Sequence, residues 1–135
     1  MAVILDTGII YAYYDRRDSW HKRSMTVIGE NAGALITPVS VIPEVDHLLG
    51  HRLGWAAQRA FYRGLADGFY FVAELSEAGY TRVADLNEQF SQLQLGFVDA
   101  AVMATAEMLG LGRIATTDRR DFGTVRIELP LVLLP

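Results

Sequence analysis

Four carboxylates in this 135-residue chain sit where an apolar core segment stops or a helix begins. Asp6 follows the run Ala2-Val3-Ile4-Leu5, and Asp118 follows Ile114-Ala115-Thr116-Thr117. Glu44 comes just after the turn-forming stretch Thr37-Pro38-Val39-Ser40, and Asp99 opens the small-residue run Ala100-Ala101-Val102-Met103-Ala104. Gathered by a fold, these side chains would make an acidic pocket with no cysteine and no obligatory histidine. Such a pocket suits a hard divalent cation, and a cation held by carboxylates most often works on phosphate esters.

Each acid also has a plain structural reading. Asp6, in Asp6-Thr7-Gly8, can cap a helix or close an Asx-turn after a strand. Glu44 and Asp99 fall in first turns of helices, where the macrodipole favours negative charge. Asp99 is the more telling of the two. From Phe97 to Gly112 the one other charge is Glu107, so Asp99 opens a helix that is apolar nearly all round, with no base a turn away. A carboxylate placed there needs a partner. Asp118 lies in Thr116-Thr117-Asp118-Arg119-Arg120-Asp121-Phe122, where Asp121 either caps a short turn or joins a ligand set. Thr116 and Thr7 offer hydroxyls beside it.

The histidines invite other chemistry and do not complete it. Glu44-x-x-His47 has the spacing of half a di-iron site, which needs a second copy in a four-helix bundle. His47-Leu48-Leu49-Gly50-His51 has the histidine spacing of a zinc-protease helix without its glutamate. The pair reads as a surface or core-edge feature.

The elements that must position these residues follow from hydrophobic periodicity. Strand-like runs occur at Ala2–Leu5, Ala34–Thr37, Phe69–Ala73, Arg113–Thr116 and Thr124–Leu129, separated by helix-like stretches. That alternation predicts an α/β domain with a mostly parallel central sheet spanning residues 1–135. Asp18-Ser19 is placed to cap a helix through Trp20 to Glu30, and Ser40 to cap the next, with Pro43 tolerated in its first turn. Gly54 divides the region Glu44–Asp67 into two helices. Ser76 starts a helix ending near Leu93, Gly96–Leu109 forms another, and the proline-flanked ending from Leu129 to Pro135 reads as an edge strand or tail. In open parallel sheets ligands bind beyond the carboxyl ends of the strands, where winding reverses. Asp6 and Asp118 fall at two such ends.

Composition narrows the class. About half the residues are apolar, enough to bury a core, yet no run is long enough to span a bilayer. With no cysteine there are no disulfides, zinc–thiolate sites or thiol nucleophiles, and the cytoplasm is the expected compartment. The net charge of −4 argues against a general nucleic-acid binder. Setting the four site acids aside leaves 16 − 4 = 12 acids against 12 bases, eleven of them arginine. The clusters Arg16, Arg17, Lys22 and Arg23, then Arg52, Arg59 and Arg63, then Arg113, Arg119 and Arg120 are either solvated faces or phosphate contacts. Tyr11, Tyr13, Tyr14 and Trp20 either stack bases or, at helical spacing, pack in the core.

Four pieces in order carry a family resemblance: Leu5-Asp6-Thr7, Pro43-Glu44-Val45, Leu95-Gly96-Phe97-Val98-Asp99-Ala100-Ala101, and Ile114 through Phe122. Together they resemble the PIN domain, and within it the VapC-like toxins of toxin–antitoxin pairs. The resemblance implies a three-layer α/β/α fold and Mg²⁺- or Mn²⁺-dependent cleavage of RNA. It places the catalytic and metal-binding acids at Asp6, Glu44, Asp99 and Asp118, with Thr116 as a supporting hydroxyl and Asp121 as a less regular acid. It also implies a homodimer, an antitoxin partner and no membrane. Gly8 departs from the family, which often carries a bulkier or polar residue there.

Two rivals with acidic pockets lose on residues. A haloacid-dehalogenase phosphatase needs an aspartate where Gly8 stands, and a receiver domain needs a late lysine, whereas Lys22 is the chain's one lysine. A PIN fold that binds RNA or protein without cleaving remains the alternative.

Overall fold

The computed structural model describes residues 1–135. Five short strands form one sheet: β1 (Val3–Leu5), β2 (Leu35–Pro38), β3 (Phe71–Ala73), β4 (Arg113–Ala115) and β5 (Val132–Leu134). Their order is β3-β2-β1-β4-β5, with every neighbouring pair parallel. The β-branched and leucine residues of β1 are fully buried, although alternate side chains point to opposite faces. Both faces of the sheet are therefore covered, as parallel sheets require.

The helices are α1 (Thr7–Tyr14), α2 (His21–Glu30), α3 (Ile42–Arg52), α4 (Trp55–Ala66), α5 (Glu77–Gln89), α6 (Gly96–Leu109) and α7 (Arg119–Thr124). Helix α1 packs on α2 and α3, α3 packs on α4, and α5 packs on α6. Ile4 pairs with Ile36 on one side and Ile114 on the other, so the carboxyl ends of β1, β2 and β4 lie level. The chain winds outward from β1 through β2 to β3, then returns to β4 on the far side of β1. This reversal puts the crevice between the loops after β1 and β4.

Residues Ala100–Ala106 of α6 are buried without interruption, so the helix is a core element and not an amphipathic cover. Complete burial of Met103 alone stabilises the fold by about 1.5–3 kcal/mol. The bounds of α6 coincide with the expected Gly96–Leu109, and it ends on Gly110 at φ 62°, a left-handed cap that favours glycine. Gly54 separates α3 from α4 at φ 98°.

Several local expectations are corrected. Thr124–Leu129 is not a strand: Asp118 caps α7, which runs through Thr124, and the fifth strand lies further on, between Pro130 and Pro135. Ser40 does not cap α3. It sits in a 3₁₀ turn, Val39–Val41, with its hydroxyl buried and unpartnered. The clustered tyrosines serve packing. Tyr11 is buried and donates to Asp15, the hydroxyls of Tyr14 and Tyr70 lie 2.7 Å apart, and Tyr13 stacks on Phe69. Arginines also turn inward to local partners: Arg113 donates to the carbonyls of Met1 and Ala2, and Arg23 covers the Trp20 ring. No helix is long and apolar enough to cross a membrane.

Candidate metal centre

The site is built outward from Asp6. Leaving β1, the chain turns into α1 with Asp6 as its cap: the Thr7 amide donates to Oδ1 at 2.9 Å. The Thr116 hydroxyl, fully buried at the end of β4, donates to Oδ2 at 2.8 Å. That same hydroxyl oxygen accepts from the Asp118 amide at 2.9 Å. Thr116 thereby ties the β1 end to the β4 end and sets the loop carrying Asp118. Asp6 is only 6% exposed, and burial pushes its carboxyl above the usual range. The bonds from Thr116 and Thr7 oppose that rise, while the charges of Glu44 and Asp118 add to it.

Asp118 is the cap of α7, with Oδ1 accepting from the amides of Arg120 at 3.1 Å and Asp121 at 3.2 Å. Helix geometry returns Asp121 to the same end three residues on. Asp99 approaches from the first turn of α6. Oxygens of Asp99, Asp118 and Asp121 all lie within 4.8 Å of one another. Glu44, exposed in the first turn of α3, stands close enough for its charge to act on both Asp6 and Asp99.

Asp99 lies at the focus of this arrangement. Its carboxyl is pushed up to about 7, first by burial and then by the charges of Asp6, Asp118, Asp121 and Glu44. The chain's ion pair, Arg82–Glu107 at 2.8 Å, lies elsewhere, so no base neutralises any of the five acids. Such crowding of unpaired oxygens is unfavourable without a cation and matches the donor set of a hard divalent ion.

The fold thus brings residues 6, 44, 99 and 118 into one crevice. Asp121 is the acid for which the sequence allows two roles, capping or ligation. The structure gives the cap to Asp118, and Asp121 completes the close trio. The signal is the interval Asp118-x-x-Asp121 at a helix start. Gly8 has a local reason as well: a side chain there would run into the Thr117 hydroxyl, next to Asp118. His47 and His51 stack on the exposed face of α3, outside the pocket.

The sequence profile of the PIN domain matches residues 3–127. The chain belongs to the PIN domain family. Ribonuclease VapC26 of Mycobacterium tuberculosis is 31% identical over 124 residues, which is 92% of this chain and 92% of that protein. Among solved structures, VapC20 of M. tuberculosis, described as a sarcin-ricin loop cleaving toxin, superposes with a TM-score of 0.83 at 18% identity, covering 96% of this chain and 99% of its own. A toxin–antitoxin complex from Klebsiella pneumoniae superposes with a TM-score of 0.71 at 18% identity over 92% of each chain. At such identities the structural matches speak to the shared three-layer α/β/α fold. As a PIN domain, the chain places its acidic crevice at the sheet's switch point.

Proposed function

We propose that this PIN domain is an endoribonuclease toxin that depends on Mg²⁺ or Mn²⁺, assembles as a homodimer and is restrained by an antitoxin protein. The observation that carries this reading is the convergence of five unpaired carboxylates, three of them with oxygens within 4.8 Å of one another. Likeness to ribonuclease VapC26 supports RNA as the substrate. The toxin–antitoxin complexes among the structural relatives support the antitoxin partner.

Asp99, Asp118 and Asp121 hold the cation, with Asp6 and Glu44 on its flanks. When bound, the ion supplies Lewis acidity to the phosphodiester and lowers the pKa of water. Thr116 acts as a positioning residue. It holds Asp6 in one rotamer, by a bond to Oδ2, and fixes the Asp118 amide through its other lone pair. Asp99 is kept free of hydrogen bonds, so its charge is available to a cation and costly without one. No side-chain nucleophile is needed, which agrees with a pocket that contains neither cysteine nor histidine.

The test is incubation of the purified chain with mixed small RNAs in Mg²⁺, in Mn²⁺ and in chelator, alongside Asp6→Asn and Asp99→Asn. Cleavage should require a cation and disappear in both variants. Cleavage that survives both substitutions would sink the assignment. RNA retention without cleavage in the wild type would favour a binding module.

A further inference from the structure

We propose that His47 and His51 form a second cation site, suited to a borderline transition-metal ion such as Zn²⁺, with Glu44 as its third protein ligand. The site rests on the geometry of α3. Helical periodicity puts residues 44, 47 and 51 on one stripe, and all three side chains are exposed. The two imidazoles lie nearly parallel, 10° apart, with centroids separated by 5.8 Å. In a tetrahedral zinc chelate each ring centroid sits about 3.2 Å from the ion, so two centroids lie about 5 Å apart. Closing that gap takes a small side-chain rotation on a rigid helix.

The ring nitrogens are also uncommitted. His21, the chain's other histidine, is engaged with the Ala12 carbonyl at 2.7 Å, whereas neither ring on α3 has a hydrogen-bond partner. Competing groups nearby are occupied. The Arg52 guanidinium lies over the Tyr11 ring, and the Asp46 carboxylate accepts from Gln58 and Tyr62. Imidazole selects zinc, copper and nickel, while carboxylate clusters select magnesium and manganese. The two sites therefore sort cations by hardness and share Glu44. A zinc ion on the histidine pair draws Glu44 away from the acidic pocket and leaves its fourth position to water. This consequence for RNA cleavage rests on the function proposed above; the binding site itself does not.

The binding test is an equilibrium competition between the tag-free full chain and a colorimetric zinc chelator. Zinc binding should persist in Asp99→Asn and weaken by at least about tenfold in His47→Ala and in His51→Ala, since losing a direct ligand costs no less than losing a supporting contact. Unchanged affinity in both histidine variants, or loss in Asp99→Asn alone, overturns the site. Glu44→Gln should weaken binding less than either histidine change, and no effect there removes Glu44 from the ligand set. In Mg²⁺, equimolar Zn²⁺ should slow RNA cleavage by the wild type and leave His51→Ala unaffected. Equal slowing of both overturns the coupling. If the chain cleaves no RNA, the nuclease assignment fails while the chelator competition still decides the zinc site.

Discussion

Replacing Asp99 with asparagine should make the cation-free protein more stable at pH 8. A carboxyl held near 7 in the fold but near 3.8 when unfolded binds more protons in the native state between those values. Stability from this group is therefore fully present below about pH 4 and is lost as pH rises through about 7. Taken without solvent screening, the gap corresponds to about 4 kcal/mol. Asp99 is only half-buried, and solvent screening brings the effect to about 1–2 kcal/mol. The asparagine side chain is nearly isosteric with the carboxylate and carries no charge. In chelator at pH 8, Asp99→Asn should raise Tm by roughly 3–8 °C for a chain of this length. At pH 4 the two proteins should melt within about a degree of each other. Differential scanning calorimetry at both pH values reads this directly. A variant that melts at or below the wild type at pH 8, or one that keeps the wild-type loss of stability between pH 4 and pH 8, would refute the claim that unpaired charge at Asp99 strains the pocket.

Other outcomes follow from the same geometry. Mn²⁺ at a hundred times its dissociation constant should stabilise the wild type by about 2.7 kcal/mol and Asp99→Asn by much less, read as melting shifts across a titration. Thr116→Val removes a buried hydroxyl that serves both Asp6 and the Asp118 amide, and should cost about 1–3 kcal/mol in urea unfolding. RNA cleavage by Thr116→Val should fall well beyond what its folded fraction explains. Gly8→Ala forces Thr117 to move and should destabilise by about 1–3 kcal/mol while slowing cleavage, because Asp118 is the next residue. Wild-type stability together with wild-type cleavage in Gly8→Ala would show that Thr117 yields without disturbing the pocket.

Much of this arrangement was legible because it depends on strand ends. The apolar runs before Asp6 and Asp118 mark β1 and β4, and parallel pairing sets their carboxyl ends level. Helix α6 was legible to the residue, since glycine bounds it at both ends and its interior carries a single charge after Asp99. Helix α1 gave no such signal. Its residues Ile9, Ile10, Tyr11 and Ala12 are buried on all sides, so no polar face marks a helical period. The stretch after Phe122 misleads because alternating Val125 and Ile127 mimic a strand, while partner strand β4 pairs instead with Val132–Leu134. Ser40 suits a cap on residue type alone. The 3₁₀ turn before α3 supplies the helix entry instead and leaves that hydroxyl without a partner. Asp121 is ambiguous in sequence because capping and ligation favour the same residue at the same place, and only the fold shows that Asp118 takes the cap.

The most direct measurement is anomalous diffraction from crystals soaked in Mn²⁺ at neutral pH. A single strong peak, or a close pair, within coordination distance of the Asp99, Asp118 and Asp121 oxygens is the expected result. Full soaking with no manganese peak in that crevice, or a peak bound elsewhere with these carboxylates turned apart, would contradict it.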